Sequence, residues 1–195
     1  MPATVPVVHD SSRNIVFLGN SITAGFGVGQ SDAFPSLIQE KIDSLKLPYH
    51  VINAGISGET SADGLSRIHW VLKQPVSILV LELGGNDGLR GIPLTGTRSN
   101  LQAIMDSARN KNPGIILILA GMQIPPNLGQ QYTGEFRRIY QQLAIKNHTL
   151  LIPFLLENVG GIPALNQPDG IHPNVEGHKI VAENVWKILA PVLRP

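Results

Sequence analysis

Ile78-Leu79-Val80-Leu81-Glu82-Leu83-Gly84-Gly85-Asn86-Asp87-Gly88 is the stretch on which the fold turns. Its first half, Ile78 to Leu83, is the most apolar run in the chain and is interrupted only by Glu82. A short run with apolar residues on both faces, closed by glycines, reads as a strand buried on both sides. The same signature recurs outward from it. Ile15 to Leu18 ends in Gly19-Asn20-Ser21, and Val51-Ile52-Asn53 leads into a Gly-rich loop over Ala54 to Thr60. Ile115 to Ala120 and Leu150 to Ile152 complete the strands.

Between these runs the spacing of apolar residues becomes helical. Phe34, Leu37, Ile38, Ile42 and Leu45 predict a helix over 33–46. Leu65, Ile68, Val71 and Leu72 predict another over Ser61 to Lys73, closed by Pro75. Further helices are expected over 97–110, stopped before Pro113, over Glu135 to Lys146 and over Val175 to Leu189. Gln123 to Thr133 and Asn158 to Pro168 read as loops. Strand and helix alternate without an internal linker or repeat, so the expectation is an α/β fold with a parallel sheet covered on both faces. Right-handed crossovers leave a doubly wound sandwich as the simplest topology, with any site beyond the carboxyl ends of the strands.

Composition narrows the function. The 195 residues fit one sizeable core, read here as a single domain over 13–195 behind a loose arm over 1–12. A net charge of +1 with no run of Lys or Arg gives no electrostatic case for nucleic acid. There is no cysteine, so thiolate catalysis and disulfides are excluded. No apolar run approaches the roughly 20 residues of a membrane span, and stable membrane insertion is not expected. No signal peptide is visible at the start. The compartment stays open between periplasmic or secreted, had a signal been removed, and cytoplasmic. The oligomeric state is open too.

Chemistry concentrates near the carboxyl end, at Gln167-Pro168-Asp169-Gly170-Ile171-His172-Pro173-Asn174. Pro173 pushes His172 toward extended backbone, and Gly170 permits a turn between the two polar residues. Asp169 and His172 therefore share a stiff loop, where a carboxylate can orient one imidazole nitrogen and leave the other free as a base. Without cysteine the nucleophile is Ser, Thr or a rarer choice, and Ser21, directly after the first strand, is the best candidate. The competing role for Ser21 is a helix cap. Gly58 and Asn86, in loops at the same sheet edge, can supply N–H donors to an oxyanion; their plain alternatives are a loop glycine and a turn asparagine. Glu82 is expected to be a satisfied structural carboxylate. His9, His50, His69, His148 and His178 carry no motif, and no metal site is expected.

Four segments, Gly19 to Gly25, Asn53 to Thr60, Gly84 to Gly88 and Asp169 to Pro173, together resemble the SGNH-hydrolase (GDSL-type esterase/lipase) family, in that family's order. The similarity is strongest to bacterial thioesterase I/lysophospholipase-like arylesterases, notably over Leu81 to Gly91. The resemblance implies a three-layer α/β/α sandwich, flavodoxin-like, with a five-stranded parallel sheet. It implies Ser21 as nucleophile, His172 as base and then acid, and Asp169 as its orienting carboxylate. Ser21, Gly58 and Asn86 would form the oxyanion hole. No cofactor is implied, the substrate would be a small-molecule ester or thioester, and several relatives are exported to the periplasm. One departure stands out: the family usually has Asp where this chain has Asn20. The consequence is expected in local stability or pH profile rather than in turnover.

Leu89, Ile124, Pro125 and Phe154 are candidates to line the acyl site, because their loops should converge on one edge; packing within their own loops is the alternative. Modest apolar walls favour short acyl chains. Two other functions remain open. A carbohydrate esterase or acyltransferase would use the same triad. A flavodoxin-like module would bind FMN or phosphate, cradled by Ser21, Thr23 and Gly25, and would leave Asp169, His172, Gly58 and Asn86 unexplained.

Overall fold

A computed structural model of the chain describes residues 13–195; the arm expected over 1–12 lies outside them. The strands are β1 (Arg13–Gly19), β2 (Tyr49–Gly55), β3 (Ile78–Glu82), β4 (Ile116–Ala120) and β5 (Leu150–Ile152). The helices are α1 (Ser21–Ala24), α2 (Phe34–Ser44), α3 (Ser61–Val71), α4 (Gly85–Leu89), α5 (Leu94–Lys111), α6 (Gln130–Asn147) and α7 (Val175–Leu189). The sheet order is β2-β1-β3-β4-β5 and every pairing is parallel. This is the doubly wound α/β sandwich expected, with the run Ile78–Glu82 buried at its centre.

Helices cover both faces. α2 packs with α7, while α3 packs with α5 and α5 with α6. The core between the layers holds Phe17, Phe34, Ile38, Ile68, Leu79, Leu101, Phe136, Tyr140 and Val185, all essentially without solvent contact. Phe17 meets Phe34 edge to face at 5.4 Å, which locks α2 onto β1.

The differences from the sequence reading have local causes. β2 runs over seven residues rather than three because it is an edge strand, half-exposed, paired along the whole of β1; an apolar run marks only its middle. α5 starts at Leu94, directly after Pro93, which stands at its N-cap with φ −53° and a non-helical ψ of 122°. α6 starts at Gln130, where Gly129 at φ 88° turns the chain out of a short 3₁₀ turn over Pro126–Leu128. α1 and α4 are single turns, too short to show periodicity, and the sequence reads them as plain turns.

Candidate active site

The first strand hands its chain to a tightly bonded turn. Asn20 caps α1: its Oδ1 accepts from the Ile22 N–H at 3.0 Å. The cap is therefore Asn20 rather than Ser21, which leaves the Ser21 hydroxyl uncommitted to the helix. Asn20 also donates, through Nδ2 to Glu82 Oε1 at 2.9 Å and through its backbone N–H to Glu82 Oε2 at 3.1 Å. Thr23 Oγ1 donates to the same Oε2 at 2.8 Å. Glu82 is the satisfied structural carboxylate expected. Burial pushes its pKa up to about 7, against the hydrogen bonds from Thr23 and Asn20 that favour its charge. With Thr23 fully buried and its hydroxyl committed to a carboxylate, the phosphate cradle of Ser21, Thr23 and Gly25 does not form.

The turn is also pressed against the second strand. A Cβ on Gly55, at the end of β2, would fall onto the backbone of Thr23 and Ala24, so the close approach requires glycine.

Across the sheet edge, Asp169 organises its own loop. Its Oδ1 accepts from the N–H groups of Ile171 and His172, both at 3.0 Å, and its Oδ2 lies 2.7 Å from His172 Nδ1. Partial burial works against the charge on Asp169, but these bonds outweigh it and hold the carboxyl at about 2. His172 Nε2 lies 2.9 Å from Ser21 Oγ. Residues 151 positions apart thus form one continuous chain, hydroxyl to imidazole to carboxylate. Such a chain can pass a proton from the hydroxyl and hold the resulting imidazolium.

Two braces that no local sequence pattern marks hold the loops in place. Gln167 Nε2 donates to Phe26 O at 2.5 Å and Pro173 O at 3.1 Å, tying the serine loop to the histidine loop. Arg67, on α3, donates to Glu59 Oε2 at 2.6 Å and to Ala54 O at 2.7 Å, bracing the loop after β2.

Asn86 stands at the start of α4, and its Nδ2 donates to Glu59 O at 2.8 Å. Among the described residues that is the one hydrogen bond its amide donates, and Asn86 lines the cavity. α4 is held by Asp87, a buried carboxylate that accepts from Ser61 N–H at 2.8 Å, Ser61 Oγ at 2.5 Å and Thr97 Oγ1 at 3.1 Å. Gly58 sits at φ 85° in an exposed loop, its carbonyl held by Arg90 at 3.0 Å. It is not among the residues that line the cavity.

A cavity of about 440 Å³ opens beside Ser21 and His172, within the ordinary range for a small-molecule site. Leu89, Ile124, Pro125 and Phe154 all line it, so their loops converge as expected. Sequence reasoning missed Ile22, Met122, Leu156 and Ile171 on its walls. Among the described residues, no group of three or more His, Cys, Asp or Glu is placed to hold a metal ion, and no helix is long and apolar enough to cross a membrane.

Comparison with known proteins gives matches over most of the chain. Residues 17–180 match the GDSL-like Lipase/Acylhydrolase family. The chain is 39% identical to Esterase TesA of Pseudomonas aeruginosa, over 94% of this chain and 90% of that protein. It is 38% identical to the Thioesterase 1/protease 1/lysophospholipase L1 of Escherichia coli, over 94% of this chain and 86% of that one. The crystal structure of TesA superposes with a TM-score of 0.88 at 40% identity, covering 93% of this chain and all of that one.

Proposed function

The chain belongs to the GDSL-like lipase/acylhydrolase family and is a carboxylic ester hydrolase, and from that premise we propose that it works through a Ser21-His172-Asp169 triad and an acyl-enzyme. The observation that carries the reading is the 2.9 Å contact between Ser21 Oγ and His172 Nε2, at the mouth of an apolar cavity. Ser21 attacks the acyl carbonyl as its proton passes to His172. Asp169 keeps the imidazole in the tautomer that can accept it. His172 then protonates the leaving alcohol or thiol, and water reverses the steps on the acyl-enzyme.

The oxyanion is received by the Ser21 N–H, the Gly58 N–H and the Asn86 side-chain amide. Ser21 supports this role as the first residue of α1, whose N–H has no partner within the helix. Asn86 supports it by lining the cavity with one amide hydrogen unspent among the described residues. The acyl chain lies against Leu89, Ile124, Pro125 and Phe154. Short to medium acyl esters and thioesters, lysophospholipids among them, are the substrates that such a wall accepts. Residues 13–195 act as a single hydrolase domain, a reading supported by one core cluster to which all five strands contribute.

Replacing Ser21 with Ala tests the mechanism. The variant should keep the far-ultraviolet circular dichroism of the parent and lose turnover of p-nitrophenyl butyrate by at least about a thousandfold. Turnover at the parent's rate would eliminate Ser21 as the nucleophile.

A further inference from the structure

We infer that Phe26 is a platform for the leaving group and favours esters of aryl alcohols; this rests on the triad mechanism proposed above. The ring of Phe26 lies against the imidazole of His172, with centroids 4.8 Å apart and planes inclined by 45°. Its backbone is fixed on both sides. The Phe26 N–H donates to Ser21 O at 2.9 Å, and Phe26 O accepts from Gln167 Nε2 at 2.5 Å. Gly25 and Gly27, at φ 76° and 77°, make the bends that bring it there. Yet the residue is 49% exposed. A core contact would bury such a ring. Here a rigid loop holds one face of it on the reactive imidazole and leaves the rest to solvent.

The position relative to the reaction gives this arrangement a use. The cavity of Leu89, Ile124, Pro125 and Phe154 takes the acyl part, and Phe26 is not among its lining residues. Phe26 touches His172 from outside that cavity. When the tetrahedral intermediate collapses, the bond between the carbonyl carbon and the alcohol oxygen breaks, and its electron pair leaves with the oxygen. That oxygen takes the proton from His172 Nε2. The alcohol's substituent therefore sits beside the imidazole, where the exposed part of Phe26 offers it apolar surface. An aryl substituent can stack there or meet the ring edge on, whereas a small alkyl group gains little.

The test compares phenyl butyrate with trifluoroethyl butyrate, two activated esters with the same acyl group, of which only the first carries a ring. The readout is the ratio of their kcat/KM values, which reports acylation alone. In Phe26→Leu the aryl-to-alkyl ratio should fall about three- to tenfold, the size of an aromatic pair's contribution, while Phe26→Trp should keep it. A ratio unchanged in Phe26→Leu overturns the inference, including the case in which both esters slow equally because Phe26 only positions His172. Inactivity of the parent chain on both esters brings down the triad mechanism and this inference with it, and that failure is visible before any substitution is made.

Discussion

Changing Asn20 to Asp restores the residue that the family usually carries, and the structure gives it a definite cost. Asn20 Nδ2 donates to Glu82 Oε1 at 2.9 Å inside a buried turn. An aspartate at that position sets two carboxyl oxygens against each other at the same separation. Were both ionised, their repulsion at an effective dielectric near 20 would be roughly 6 kcal/mol. Glu82 already titrates at about 7 in the parent, so one proton shared by the two carboxyls removes that repulsion at almost no cost at or below pH 7. Sharing a proton is the cheaper solution, and the protonated carboxyl donates to the ionised one where the amide donated before.

The proton bound by the folded pair is held far above the pKa of either acid in the unfolded chain, whereas the parent's Glu82 gives up its proton at about 7. Below pH 7 parent and variant each hold one proton more than their unfolded chains, and the gap between them is flat. Above pH 7 only Asn20→Asp still holds it, so its deficit should grow by about 1.4 kcal/mol per pH unit, to roughly 3 kcal/mol beyond the acid-side gap at pH 9. Urea denaturation of both proteins at several pH values between 6 and 9 measures it. The double variant Asn20→Asp/Glu82→Gln is the control. The introduced glutamine would donate its Nε2 to the introduced aspartate, while its Oε1 takes over the bonds from the backbone N–H of residue 20 and from Thr23 Oγ1 that Glu82 Oε2 receives in the parent. Every bond survives with the charge moved across, so the double variant should recover to within about 1 kcal/mol of the parent. Esterase activity of folded Asn20→Asp should stay within about tenfold, because Asn20 Oδ1 is 3.5 Å from Ser21 Oγ, too long for a strong bond. A gap that does not change with pH, or a double variant no more stable than the single one at pH 9, would refute the reasoning.

Two other outcomes follow from the site and its surroundings. Asn86→Ala should lower kcat on p-nitrophenyl butyrate by about 10²–10³ with little change in KM, since the lost donor acts on the developing oxyanion; a loss confined to KM would assign Asn86 to substrate binding instead. His178 is buried against the start of α2, its Nδ1 accepting from the Phe34 N–H at 3.2 Å. Burial, with a smaller push from His172 and an opposing pull from Asp32, brings its pKa down to about 4. The fold therefore binds the neutral ring, its contribution complete above about pH 6.5 and lost as the pH falls toward 4. The loss is about 3 kcal/mol in all. Glu82 titrates alike in both proteins, so the stability of the parent relative to His178→Gln, from urea denaturation, should fall with this slope; a difference independent of pH would remove His178 as its source.

The residues that carry the proposed chemistry were legible because backbone constraints advertise them. Asp169 and His172 share a loop whose Gly170 and Pro173 leave little conformational choice, and the loop holds them 2.7 Å apart. Ser21, Asn86 and the apolar candidates lie after strands that a parallel sheet points the same way, so one edge had to receive them all. What escaped the sequence depends on contacts between distant segments. Gln167 looks like a loop residue until its amide is seen to join Phe26 to Pro173. Arg67 lies on a helix whose apolar face was the only part that periodicity could read. Glu82 shows the boundary best. A carboxylate in a fully buried strand implies partners, and the sequence alone supports that much. Which partners they are depends on α1 turning back over β3, so that an asparagine in place of the usual aspartate becomes the donor that lets the buried charge stand beside the serine turn without a second acid to share its proton.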